Sequence, residues 1–101
     1  MELTLNGLKA DRQAFEAAGY RLPSFDHEKV MARTKENPVW IHFGAGNIFR
    51  AFQCNVAQNL LNAGVLDTGI IAVEGFDYEI IEKMYWPHDN LSILATLKAN
   101  N

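Results

Sequence analysis

Val39-Trp40-Ile41-His42-Phe43 is a run of β-branched and aromatic residues that breaks at Gly44-Ala45-Gly46 and gives way to an amphipathic repeat. Five residues are too few for a stable helix, and β-branching favours extended backbone, so the run predicts a strand buried on both faces, as in parallel sheets. Phe49, Phe52, Val56, Leu60 and Ala63 then recur at spacings of three and four, which predicts a helix with those residues on its inner face and Gly64 closing it. A strand, a glycine turn and a helix in that order suit an anion. Gly44 permits the sharp turn, Gly46 removes the side chain that would hold a pyrophosphate off the backbone, and the helix aims its free amides and positive dipole end at the phosphate. The expected cofactor contacts in this stretch are Gly44, Ala45, Gly46, Asn47 and Ile48.

The flanking segments extend the pattern. Ile70-Ile71-Ala72-Val73 is a second continuous apolar run, entered through Asp67-Thr68-Gly69 and ending at Glu74-Gly75, and it predicts a second buried strand. Asp77 is placed to cap a helix over 78–85 with Ile80, Ile81 and Met84 inward and Pro87 at its end. The alternation of Leu91, Ile93, Ala95 and Leu97 with Ser92, Leu94, Thr96 and Lys98 predicts a third strand with one wetter face. Upstream, residues 8–18 read as an amphipathic helix with Leu8, Phe15 and Ala18 on one face and Gly19 as terminator. Residues 26–36 read as a second helix capped by Asp26, with Val30 and Met31 inward and Asn37-Pro38 ending it. The expected architecture is α/β: residues 1–37 a helical extension, and residues 38–101 the first part of a Rossmann-type dinucleotide-binding fold, βαβαβ with a mainly parallel sheet.

Bulk properties bound the function. A chain of 101 residues with 49% hydrophobic content fits one small globular domain. A net charge of −3 and no basic run argue against nucleic acid or an anionic membrane surface as partner. Residues 1–6 have neither the basic start nor the apolar core of a signal peptide, and no apolar run reaches the roughly 18 residues of a membrane span. With Cys54 as the single cysteine, the expectation is a soluble cytoplasmic protein without a disulfide or multi-cysteine metal site.

Glu74, at the end of the second strand and about 25 residues beyond the glycine turn, stands where an acidic residue receives the adenosine ribose. Asp77 competes for that role and reads equally well as a helix cap. No arginine follows either closely, which favours NAD(H) over its phosphorylated counterpart. Arg50, in the first helical turn, is within reach of a phosphate or else is a solvated surface residue. His27, His42 and His88 have no spacing for shared metal ligation, and Cys54 reads as packing, so no metal site and no catalytic residue is assigned. Phe49 occupies the third glycine position of the dinucleotide fingerprint, where glycine permits close packing of helix on sheet, so a wider gap or altered helix angle is expected.

His42-Phe43-Gly44-Ala45-Gly46-Asn47-Ile48-Phe49-Arg50 resembles the N-terminal fingerprint of the mannitol dehydrogenase family, the polyol-specific long-chain dehydrogenases and reductases. Members acting on mannitol 1-phosphate have glycine where Phe49 stands. The bulkier residue, together with Val73-Glu74-Gly75-Phe76-Asp77 and His88-Asp89-Asn90-Leu91, looks more like the branch that reduces hexuronates. The resemblance spans roughly residues 38–97. It implies NAD(H)-dependent interconversion of a sugar-derived ketone and a secondary alcohol, with the glycine turn and Glu74 or Asp77 holding the cofactor. It also implies that the lysine, asparagine and histidine performing the reaction lie in a large C-terminal helical domain, which no position here matches. The expectation is therefore an inactive NAD-binding fragment of a longer oxidoreductase. Two alternatives stay open: a nucleotide-binding or self-assembling module without catalysis, pairing through an exposed sheet edge, and a structural domain without ligand.

Overall fold

The computed structural model describes residues 1–95. In chain order these form α1 (Leu5–Ala10), α2 (Arg12–Ala17), α3 (His27–Glu36), β1 (Ile41–Phe43), a π-helical turn (Phe49–Gln53) running into α4 (Cys54–Asn62), β2 (Ile71–Val73), α5 (Tyr78–Ile80), a second π-helical turn (Ile81–Tyr85) and a 3-10 turn (Trp86–His88). β1 and β2 pair in parallel with Ile41 opposite Ile71 and Phe43 opposite Val73, and the helical segment 47–62 forms the crossover between them. Helix and strand are thus mixed around a small parallel sheet, two strands wide among the described residues. The third expected strand does not form over 91–95, and the remainder of it, 96–98, lies outside the described residues.

The N-terminal expectations hold in outline and change in detail. The single helix over 8–18 is two short ones jointed at Asp11, whose dihedrals of −118° and 29° leave the helical region. Leu8 and Phe15 are buried while Ala18 is exposed. Asp26 caps α3 by accepting from the Lys29 amide at 3.2 Å. Inside that helix the buried residue is Thr34 rather than Met31. Its hydroxyl donates to the Val30 carbonyl at 2.6 Å and accepts from the Gly69 amide at 2.8 Å, so burial is compensated at both ends and α3 is stitched to the entrance of β2.

The larger correction concerns the crossover helix. Phe49, Ala57 and Leu61 are buried, whereas Phe52 is 64% exposed and Val56 and Ala63 lie outside. The cause is the π-helical turn, in which the Cys54 amide reaches back five residues to the Phe49 carbonyl. Such a turn adds one residue to the helical circuit, so every position after it rotates by about 100° and the inner stripe moves one residue later. The second π-helical turn does the same, burying Tyr85 where an unbroken α-helix would bury Met84.

The expectation of strands buried on both faces also fails: Ile41 and Val73 are exposed, and Phe43 is 79% exposed. The start of the crossover helix meets the pair through Phe49, whose ring stacks on His42 of β1, and among the described residues Ile41, Phe43 and Val73 stay open. Trp86 is exposed as well. At the far end, Asp89 and Asn90 take left-handed conformations with φ of 52° and 61°. That turn fastens the N-terminus: the Leu5 amide donates to Asp89 Oδ2 at 2.9 Å and His88 Nδ1 donates to the Leu3 carbonyl at 2.9 Å.

Candidate functional site

The chain leaves β1 with the Gly44 amide donating to the Val73 carbonyl at 2.7 Å, which continues the parallel ladder into the turn. Gly44 then adopts φ 109°, a conformation L side chains rarely take, so glycine is required there by the backbone alone. Gly46 is a different case. Its φ is not positive, and a Cβ built on it meets nothing within 4 Å, so neither conformation nor packing within the described chain calls for glycine. The helix starts at residue 47, and the Arg50 amide donates to the Gly46 carbonyl at 3.1 Å. Among the described residues the amides of Gly46 and Asn47 have no protein acceptor, as expected of a helix start that faces open space.

Ala45, between the glycines, is fully buried and saturated with partners. Its amide donates to Glu74 Oε1 at 3.1 Å. Its carbonyl accepts from Arg50 NH1 at 3.0 Å and from the Tyr85 hydroxyl at 2.7 Å. Arg50 also donates from NH2 to Asn47 Oδ1 and lies 5.6 Å from the centre of the Tyr85 ring. The guanidinium is folded back onto the turn. Burial pushes the Tyr85 hydroxyl above its ordinary pKa, so it stays protonated as a donor.

Glu74 comes from the end of β2. While Oε1 takes the Ala45 amide, Oε2 accepts from the amides of Phe76 at 3.2 Å and Asp77 at 3.4 Å. The Phe76 amide, then those of Ala45 and Asp77, hold its carboxyl below the usual glutamate range. A lowered folded pKa means that the carboxylate stabilises the fold above the ordinary glutamate pKa and that this contribution is lost as pH falls through the lowered value. We therefore expect the urea midpoint to fall as pH drops from about 6 to about 3, and Glu74→Gln to flatten that dependence, because an amide nitrogen cannot accept from Phe76 and Asp77. An unchanged slope in the variant would assign the acid sensitivity to other carboxylates.

Asp77 takes the helix-cap role: its side chain accepts from the Ile80 amide at 3.4 Å. His42 stacks on Phe49 with ring centres 4.5 Å apart, and its Nδ1 donates to the Gly44 carbonyl at 3.0 Å. Phe49, in the third glycine position, thereby fills the space between strand and helix, and a π-helical turn begins at it. Ile48 is exposed beside the turn. Cys54 lies in α4 with its thiol pushed up to about 11, chiefly by burial, and is a neutral packing group at neutral pH. Of the expected site residues, Ala45, Gly46, Asn47, Arg50 and Glu74 thus form one hydrogen-bonded unit, while Gly44 is bonded to Val73 and His42 beside it, Ile48 flanks it and Asp77 joins it only through its backbone amide. Tyr85 is the member that the sequence does not reveal, since its link to Ala45 crosses 40 residues.

Comparison with known proteins adds a relative. The chain is 57% identical over 88 residues, 87% of its length, to a D-mannonate oxidoreductase of Thermotoga maritima, and it spans 16% of that protein. No protein-family model matches the chain, and no solved structure matches it. Among the described residues, no helix is long and apolar enough to cross a membrane.

Proposed function

Because this chain belongs, over the matched residues, to the mannonate oxidoreductase branch of the mannitol dehydrogenase family, we propose that its glycine turn binds NAD(H) for an oxidoreductase acting on a sugar acid. The observation carrying this reading is Gly46, a glycine with no conformational or packing requirement at the start of a helix whose first amides lack protein acceptors. A pyrophosphate fits that combination: it needs close backbone approach and free N–H donors, and no basic side chain. Asn47 and Ile48 supply the next positions along the helix start. Glu74, beside the turn and ionised, is positioned to accept from a ribose hydroxyl and disfavours a 2′-phosphate, so NAD(H) is the preferred form. Arg50 adds positive charge beside the same turn.

In this reading the chain supplies cofactor binding, and no group that moves protons or grips the sugar acid is assigned among the described residues. The bound nicotinamide would supply hydride acceptance or donation. Isothermal titration of this chain with NADH tests the proposal. Saturable heat with one site per chain is expected, and a flat titration over the millimolar range would reject it.

A second reading rests on a separate observation. Among the described residues, Ile41, Phe43 and Val73 are exposed on a sheet of two strands with an open edge, and such an edge pairs readily with another strand. We propose that a second copy of the chain covers this surface. Light scattering across concentration should show growth in mass, and a monomer at all concentrations would discard the idea.

A further inference from the structure

We propose that Tyr85 and Arg50 are positioning residues that aim the Gly46 amide at the cofactor phosphate by clamping the carbonyl of Ala45. This rests on the cofactor reading above and adds a mechanism and a residue to it.

The argument starts with the peptide plane. In a trans peptide the carbonyl of one residue and the amide of the next point in opposite directions. The Ala45 carbonyl is held inward by two donors, the buried Tyr85 hydroxyl at 2.7 Å and Arg50 NH1 at 3.0 Å. The Gly46 amide must therefore point away from these two donors, and among the described residues it has no protein acceptor. Rotating this plane changes ψ of Ala45 and φ of Gly46, and glycine at 46 has no side chain to resist its share of the change. A turn free to flip would present the carbonyl oxygen, in place of the amide, to an anion. Two hydrogen bonds, one of them charge-assisted, remove that alternative before the ligand arrives.

The partners of the clamp are themselves fixed. Tyr85 is buried, and its place follows from the π-helical turn that rotates it into the position Met84 would take in an α-helix. Arg50 is spread between the Ala45 carbonyl and Asn47 Oδ1, with its guanidinium beside the Tyr85 ring. Its charge is spent on holding the turn, and the anion is left to the backbone.

Tyr85→Phe removes one donor and keeps the ring. In the unliganded variant the Ala45 amide, which donates to Glu74 across the same turn, should exchange with solvent about tenfold faster than in the unmodified chain. NADH should bind about tenfold more weakly, as loss of one net hydrogen bond's worth of preorganisation predicts. Arg50→Lys, which keeps the charge and loses the fork, should act in the same direction. A purely structural hydroxyl would lower the urea midpoint and leave the dissociation constant of the folded fraction unchanged, and that result overturns the proposal. So does an unchanged Ala45 exchange rate, which is read without ligand. If the unmodified chain fails to bind NADH, the cofactor reading falls, and the exchange rate alone decides whether the clamp exists.

Discussion

Gly46→Val should abolish detectable NADH binding while leaving the free energy of unfolding in urea within about 1 kcal/mol of its starting value. The two halves of that expectation have separate causes. Gly46 has no positive φ and no neighbour within 4 Å of a built Cβ, so the substitution neither strains the backbone nor collides with the chain. Reduced freedom in the unfolded state offsets some of the loss of a favourable helix-cap residue. A phosphate, by contrast, must come within hydrogen-bond distance of the amides that start the helix, and an isopropyl group fills that approach. Losing two charge-assisted bonds, each of about 1.5–3 kcal/mol, weakens binding by about 100-fold or more. Gly44→Ala is the internal contrast: at φ 109° it should destabilise the fold by about 1–3 kcal/mol. Calorimetry and urea titration on the same preparations separate the two glycines. A Gly46 variant that binds like the unmodified chain would mean that no ligand approaches there.

Phe49→Ala should cost about 3–5 kcal/mol, and Phe52→Ala no more than about 0.5 kcal/mol, though both are phenylalanines on one helix. Phe49 is 5% exposed and stacked on His42, so its removal leaves a cavity between strand and helix, whereas Phe52 is 64% exposed. In a small domain whose whole stability is about 5–15 kcal/mol, the first change brings unfolding close. Equal losses for the two variants would show that the crossover helix is α-helical throughout, with Phe52 on its inner face.

That contrast also marks where the sequence is readable. The strand, the turn and the helix after it follow from short-range chemistry: β-branching in 39–43, a glycine at a positive φ, and Gly64 closing the segment with its amide on the Leu61 carbonyl. The caps at Asp26 and Asp77 are equally local. What periodicity cannot supply is the helical pitch itself. A repeat at three and four assumes 3.6 residues per turn, and two π-helical turns break that assumption at Phe49–Gln53 and Ile81–Tyr85, which is why the repeat places Val56 and Met84 inside where the structure buries Ala57 and Tyr85. The candidate site divides in the same manner. Its backbone half is written in the fingerprint, and its clamp is not, because the hydroxyl that completes it arrives from 40 residues downstream.

The fastening of Leu3 and Leu5 to His88 and Asp89 bears on how the chain is assembled as it is made. These two contacts form only once residues 88 and 89 have been added, since they join positions 85 and 84 residues apart. Residues 3–5 are thus secured after the glycine turn and the crossover helix have been made, and their docking turn follows shortly after Tyr85. The bond from Tyr85 to the Ala45 carbonyl spans 40 residues, so the glycine turn gains that partner in the same interval in which residues 3–5 are tied down.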